Sequence, residues 1–67
     1  MKKNKYIYWW VIQTWYPNYG WEDVSFYDKK ESTWKDVMHD YREYKIAEQA
    51  PHRIISRRTL NEEESDE

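Results

Sequence analysis

The sequence contains no cysteine, one glycine, two prolines and one phenylalanine among its 67 residues. Without cysteine there are no disulfides and no thiolate-ligated zinc, so two common staples of small domains are excluded. No apolar run approaches the length of a membrane span. Met1-Lys-Lys-Asn-Lys5 is basic, but the rings that follow are amphipathic and no small-residue cleavage site appears, so a cytosolic protein is expected. A single domain of this size buries only about 60% of its unfolded surface, and its core is marginal. The device that remains is the aromatic load, five Trp and seven Tyr, because large rings bury much area per ordered residue.

Charge divides the chain. The net charge is -2, yet five acids (Glu62, Glu63, Glu64, Asp66 and Glu67) lie beyond Leu60 with no base among them. Residues 1–60 then hold eight acids against eleven bases, a net of +3. The expected organisation is one compact, mildly basic domain over 1–60, starting with a loose basic arm, and a disordered acidic tail over 61–67.

Residues 5–15 are nearly all aromatic or β-branched, which predicts a strand. The strand is apolar on both faces, with Tyr6, Tyr8, Trp10 and Ile12 on one and Ile7, Trp9, Val11 and Trp15 on the other. Tyr16-Pro-Asn-Tyr-Gly20 has turn chemistry and predicts a hairpin to a second strand over 21–27. In that strand plain alternation places Trp21, Asp23, Ser25 and Tyr27 on one face, and Glu22, Val24 and Phe26 on the other. Asp28 with Glu31 has capping-box spacing. Trp34, Val37, Met38 and Tyr41 then recur at helical spacing, extended by Tyr44, with a helix end expected near Tyr44 or Lys45. Pro51 breaks the helix, 46–51 reads as a connection, and 52–59 reads as a short third strand.

The expected fold is α+β with element order β-β-α-β, a three-stranded antiparallel sheet in order 2-1-3 packed on one helix. This order puts the most apolar strand in the centre and the Lys- and Arg-bearing strands at the edges. Ile7, Trp9 and Val11 with Val24 and Phe26 are expected to face the helix.

No constellation points to catalysis, and an enzyme is not expected. There is no Gly-x-Ser-x-Gly elbow. His39 and Glu43 stand one helical turn apart, but two ligands do not make a metal site. His52 reads as structural or incidental. Asp36 and Asp40 fall on the solvated helix face, and Glu22 and Asp23 point to opposite faces of a strand. No metal or cofactor is expected.

Two binding surfaces remain. Tyr8, Trp10 and Ile12 with Trp21 would form an apolar patch rimmed by Arg57 and Arg58, the composition of protein interfaces. Arg53, Arg57 and Arg58 with Lys2, Lys3 and Lys5 would form a basic patch able to bind single-stranded nucleic acid or nucleotides alongside exposed rings. Self-association through the aromatic face, giving a homo-oligomeric structural protein, is a third reading.

Four segments, Tyr6-Ile-Tyr8 with Gln13, Tyr19-Gly-Trp-Glu-Asp23, Asp40-Tyr-Arg-Glu43, and Arg53-Ile-Ile with Arg57-Arg58, cover roughly residues 6 to 58. Together they resemble a group of small uncharacterised proteins encoded by bacteriophages and prophages. The sequence departs from that pattern in its extra Trp9, Trp10 and Trp34 and in Tyr44. The resemblance implies a viral or prophage origin and a host-cytoplasmic location. By analogy with proteins of that kind, it implies a module that binds and inhibits a host protein, as inhibitors of host defence and anti-CRISPR proteins do.

Overall fold

The computed structural model describes residues 5–61. Four elements follow in order: β1 (Tyr6–Tyr16), β2 (Gly20–Asp28), α1 (Trp34–Ala47) and β3 (His52–Leu60). The sheet is antiparallel throughout, in order β2-β1-β3, with α1 against one face. The fold class and strand order are those expected. The basic arm before Lys5 and residues 62–67 of the acidic tail lie outside the described residues.

The hairpin turns at Tyr16-Pro-Asn-Tyr19, where the Tyr19 N–H donates to the Tyr16 carbonyl at 3.1 Å. Pro17 supplies a fixed φ at the second corner, and Asn18 takes φ +75° at the third, the pattern of a type II turn. Gly20 follows at φ +82°, where a β-carbon would be strained. The ladder then pairs Trp15 with Trp21 and Gln13 with Asp23, but Ile12 with Ser25. Val24 is therefore the extra residue of a β-bulge. The Tyr44 hydroxyl pins this bulge from the helix by donating to the Val24 carbonyl at 3.3 Å.

The helix is capped by Thr33, not Asp28. The Thr33 hydroxyl accepts from the Asp36 N–H and the Asp36 carboxylate accepts from the Thr33 N–H, both at 3.2 Å. Asp28 instead closes the preceding turn, its carboxylate accepting from the Lys30 N–H at 2.8 Å and its carbonyl from the Ser32 N–H at 2.9 Å. At the other end the helix runs past Lys45 to Ala47, because Ile46 and Ala47 point to solvent and the helical ladder continues without new burial. The Glu48 N–H closes it on the Tyr44 carbonyl. Pro51 then opens β3.

The face that packs on the helix is the opposite of the one expected. Trp10 meets Trp34 edge-on at 5.5 Å between ring centroids, Tyr27 donates to Asp40, Ser25 meets Tyr44, and Tyr41 donates to the His52 carbonyl. So Trp10, Ile12 and Thr14 lie under the helix with Ser25, Tyr27, His52 and Ile54. Trp9, Val11, Gln13 and Trp15 lie on the uncovered face. Ile12 and Val37 are 0% exposed and form the centre of the core between sheet and helix; Val11 is also 0% exposed but lies on the other face. Ile12 is buried and Trp10 half-buried beneath the helix, which corrects their expected place on an open patch.

Candidate binding surface

The uncovered sheet face is built from alternate residues of three strands. β1 supplies Trp9, Val11, Gln13 and Trp15. β3 supplies Arg53, Ile55, Arg57 and Thr59, which stand opposite Gln13, Val11, Trp9 and Ile7. β2 supplies Trp21 and Asp23 before the bulge and Phe26 after it. The extra residue at Val24 moves Phe26 onto the same face as Trp21 and Asp23, where plain alternation would separate them.

Rings occupy one part of the face. Trp9 and Phe26 meet edge-to-face at 6.2 Å, and Phe26 is 54% exposed. The Trp9 indole N–H donates to the Thr59 hydroxyl at 3.0 Å, which fixes the ring on β3. Trp15 and Trp21 stand opposite each other towards the hairpin, both exposed.

A polar network crosses the rest. The Arg57 guanidinium donates to both oxygens of Asp23, at 2.6 Å and 3.3 Å. Arg57 stands opposite Trp9 and Asp23 opposite Gln13, so the pair spans β1 over Val11. This is why Val11 is fully buried on a face that has no helix. The Gln13 amide N–H donates to Asp23 at 2.8 Å, and its carbonyl accepts from Arg53 Nε at 2.7 Å. The Arg53 guanidinium lies 4.1 Å above the Trp21 ring, a cation–π contact. The Arg57 hydrogen bonds, with that of Gln13, hold the Asp23 carboxyl below its usual range, and Asp23 in turn raises Arg57. The network is therefore charged, bonded and held in one geometry.

Among the expected site residues, Trp21 and Arg57 come together on this face with Arg53. Arg58 does not, since neighbours on a strand point to opposite sides. Arg58 stacks instead on Tyr6 at 4.2 Å, next to Tyr8, on the helix side of the sheet. The single basic patch is thus split, and Lys2 and Lys3 lie outside the described residues. Trp9, Phe26, Gln13, Asp23 and Ile55 were not among the expected binding residues. Trp9 and Phe26 were assigned to the covered face, and Asp23 acquires its role only through the pairing register.

On the covered side, Asp40 accepts from the Tyr27 hydroxyl at 2.8 Å and lies 3.2 Å from His39 Nδ1. These hydrogen bonds, Tyr27 first, lower the Asp40 carboxyl. Burial, more than any neighbour, raises Tyr27. Ser25, Asp40, Glu43, Tyr44 and Ala47 line a depression of about 320 Å³ beside the helix. Tyr16, Pro17, Tyr19 and Glu22 line another of about 620 Å³ at the hairpin. The His52 side chain is 1% exposed and lies against the Tyr41 and Tyr44 rings. Among the described residues no three His, Asp or Glu side chains cluster to hold a metal, and no helix is long and apolar enough to cross a membrane.

Comparison with family models, with curated proteins and with solved structures finds no match to this chain.

Proposed function

We propose that this protein is a non-enzymatic binding module that docks on a partner protein through its uncovered sheet face. The observation that carries this reading is the exposed Phe26 ring, braced edge-to-face by the half-buried Trp9, beside arginines already held in place. Aromatic rings and Arg dominate the energy of protein interfaces when a partner desolvates them. Rings locked by hydrogen bonds and edge-to-face contact lose little rotamer freedom on binding, which favours affinity. The sequence resemblance to phage and prophage proteins supports a host protein as the partner, with occlusion of that protein as the effect.

Single-stranded nucleic acid is the weaker reading. Its affinity would come from phosphate neutralisation. Here Asp23 sits in the middle of the face and occupies Arg57, so the local field is mixed rather than basic. A second copy of the chain would meet the same rings and is separated from a foreign partner by the experiment.

The experiment is affinity capture from host extract with the wild-type chain and with Phe26→Ala, before and after nuclease treatment. The expected result is one protein partner retained by wild type, lost by more than about ten-fold with Phe26→Ala, and unaffected by nuclease. Retention of nucleic acid alone, or only of the chain itself, refutes the reading.

A further inference from the structure

Several rings of this chain are covered by its own cations. Lys5 and Arg58 lie over Tyr6, Lys29 over Trp10, Lys45 over Tyr41 and Arg53 over Trp21, at 4.1–5.9 Å from the ring centroids. Tyr16 and Tyr19, at the hairpin, have no such cation among the described residues. With Pro17 and Glu22 they line the depression of about 620 Å³, and no described Lys or Arg lines it with them. Tyr19 is 78% exposed.

The turn holds the two rings together. Tyr16 and Tyr19 are the first and fourth residues of one β-turn, so their α-carbons stand less than about 7 Å apart. The Tyr19 N–H bond to the Tyr16 carbonyl and the fixed φ of Pro17 keep this spacing. Glu22 stands opposite Thr14, on the same side of the sheet as Tyr16 and away from Trp15 and Trp21. Its carboxylate has no ion pair or hydrogen bond among the described residues.

This lining discriminates by charge. Glu22 repels an anion. A neutral apolar ligand would cover the carboxylate without pairing it, which costs free energy. A cation meets the negative ring faces and the free carboxylate together. Guanidinium, however, brings five N–H donors to satisfy, and a bare ammonium brings a tightly held hydration shell. A quaternary ammonium brings neither, and suits a lining of two rings, a proline and one carboxylate.

We propose that Tyr16, Pro17, Tyr19 and Glu22 form a site for a quaternary ammonium group, carried by a free choline-type molecule or by a trimethylated lysine. Its volume falls in the range of small-ligand sites, roughly 300–1,000 Å³. The site faces away from Trp15 and Trp21, so it stands or falls independently of the protein-binding face.

The test is an amide NMR titration of the full chain with choline chloride, and with neohexyl alcohol as its uncharged isostere. Choline should give saturable shifts at Tyr16, Tyr19 and Glu22, and the alcohol should bind roughly ten-fold more weakly. Glu22 is exposed and unbonded, so Glu22→Gln should fold; it should weaken choline by up to about five-fold and leave the alcohol unchanged. Tyr19→Leu keeps apolar area at an exposed position and removes a ring face. It should weaken choline and spare the alcohol. A Gly-trimethyllysine-Gly peptide separates the two sources: tighter binding than choline places the group on a partner protein, and weaker binding places it on a free molecule. The proposal is overturned by absence of saturable shifts at these residues, by equal binding of choline and the alcohol, or by choline binding that survives both variants unchanged. None of those outcomes bears on Trp9 and Phe26.

Discussion

Truncating Ile12 tests the assignment of the two faces. Its side chain is 0% exposed beneath the helix, between Ser25 and Ile54 of the neighbouring strands. An Ile→Ala change at such a site costs about 3 kcal/mol, through lost transfer energy and the cavity left behind. A domain of this length has a total stability of roughly 3–10 kcal/mol. The change therefore removes a third or more of it, and should lower Tm by roughly 12–24 °C in a domain of this size. Phe26 is the control from the other face. It is 54% exposed, so Phe26→Ala forfeits only part of its burial and one edge contact with Trp9, together below about 1.5 kcal/mol. Thermal melts followed by far-UV circular dichroism at one pH give both numbers. An equal loss of Tm in Phe26→Ala and Ile12→Ala would overturn the assignment of the faces, since Phe26 would then be core and the uncovered face would not exist.

Three further outcomes follow from particular contacts. Asp23 has a folded pKa depressed below its usual 3.8, so its contribution is present above that pH and is lost as pH falls through the lower folded value; Asp23→Asn should flatten the drop in Tm on acidification, measured against wild type. Thr33→Ala should cost about 1 kcal/mol through loss of the N-cap, while Asp28→Ala should leave helix content unchanged by circular dichroism. Gly20→Ala should cost about 1 kcal/mol in urea unfolding from its φ of +82° alone, because nothing lies within 4 Å of the added carbon.

The strand order was legible because only β1 is apolar enough to be a central strand, and the helix because Trp34, Val37, Met38, Tyr41 and Tyr44 keep one phase. The faces were not legible, for two physical reasons. Both sides of β1 are aromatic, so hydrophobicity does not say which one meets the helix. The bulge at Val24 then reverses the phase of β2, carrying Phe26 to the side of Trp21 and Asp23 and putting Ser25 and Tyr27 beneath the helix. Capping had a similar ambiguity. Asp28 with Glu31 and Thr33 with Asp36 share the same spacing, and only the turn bonds of Asp28 decide between them. Arg57 and Asp23 are distant in sequence, and their pairing emerges only once the register sets them diagonally across β1. That ion pair covers Val11 and organises the candidate site, so much of the binding surface was hidden from a strand-by-strand reading.

The face of Trp9, Phe26, Ile55 and Trp21 is the one proposed to be covered by a partner protein. Cross-saturation NMR measures this directly, by irradiating the captured partner and recording which amides and ring protons of the labelled chain lose intensity. Losses are expected to concentrate at Trp9, Phe26, Ile55 and the Trp21–Arg53 pair. Losses concentrated instead at Tyr8, Trp34 and Met38, on the helix side, would contradict this assignment.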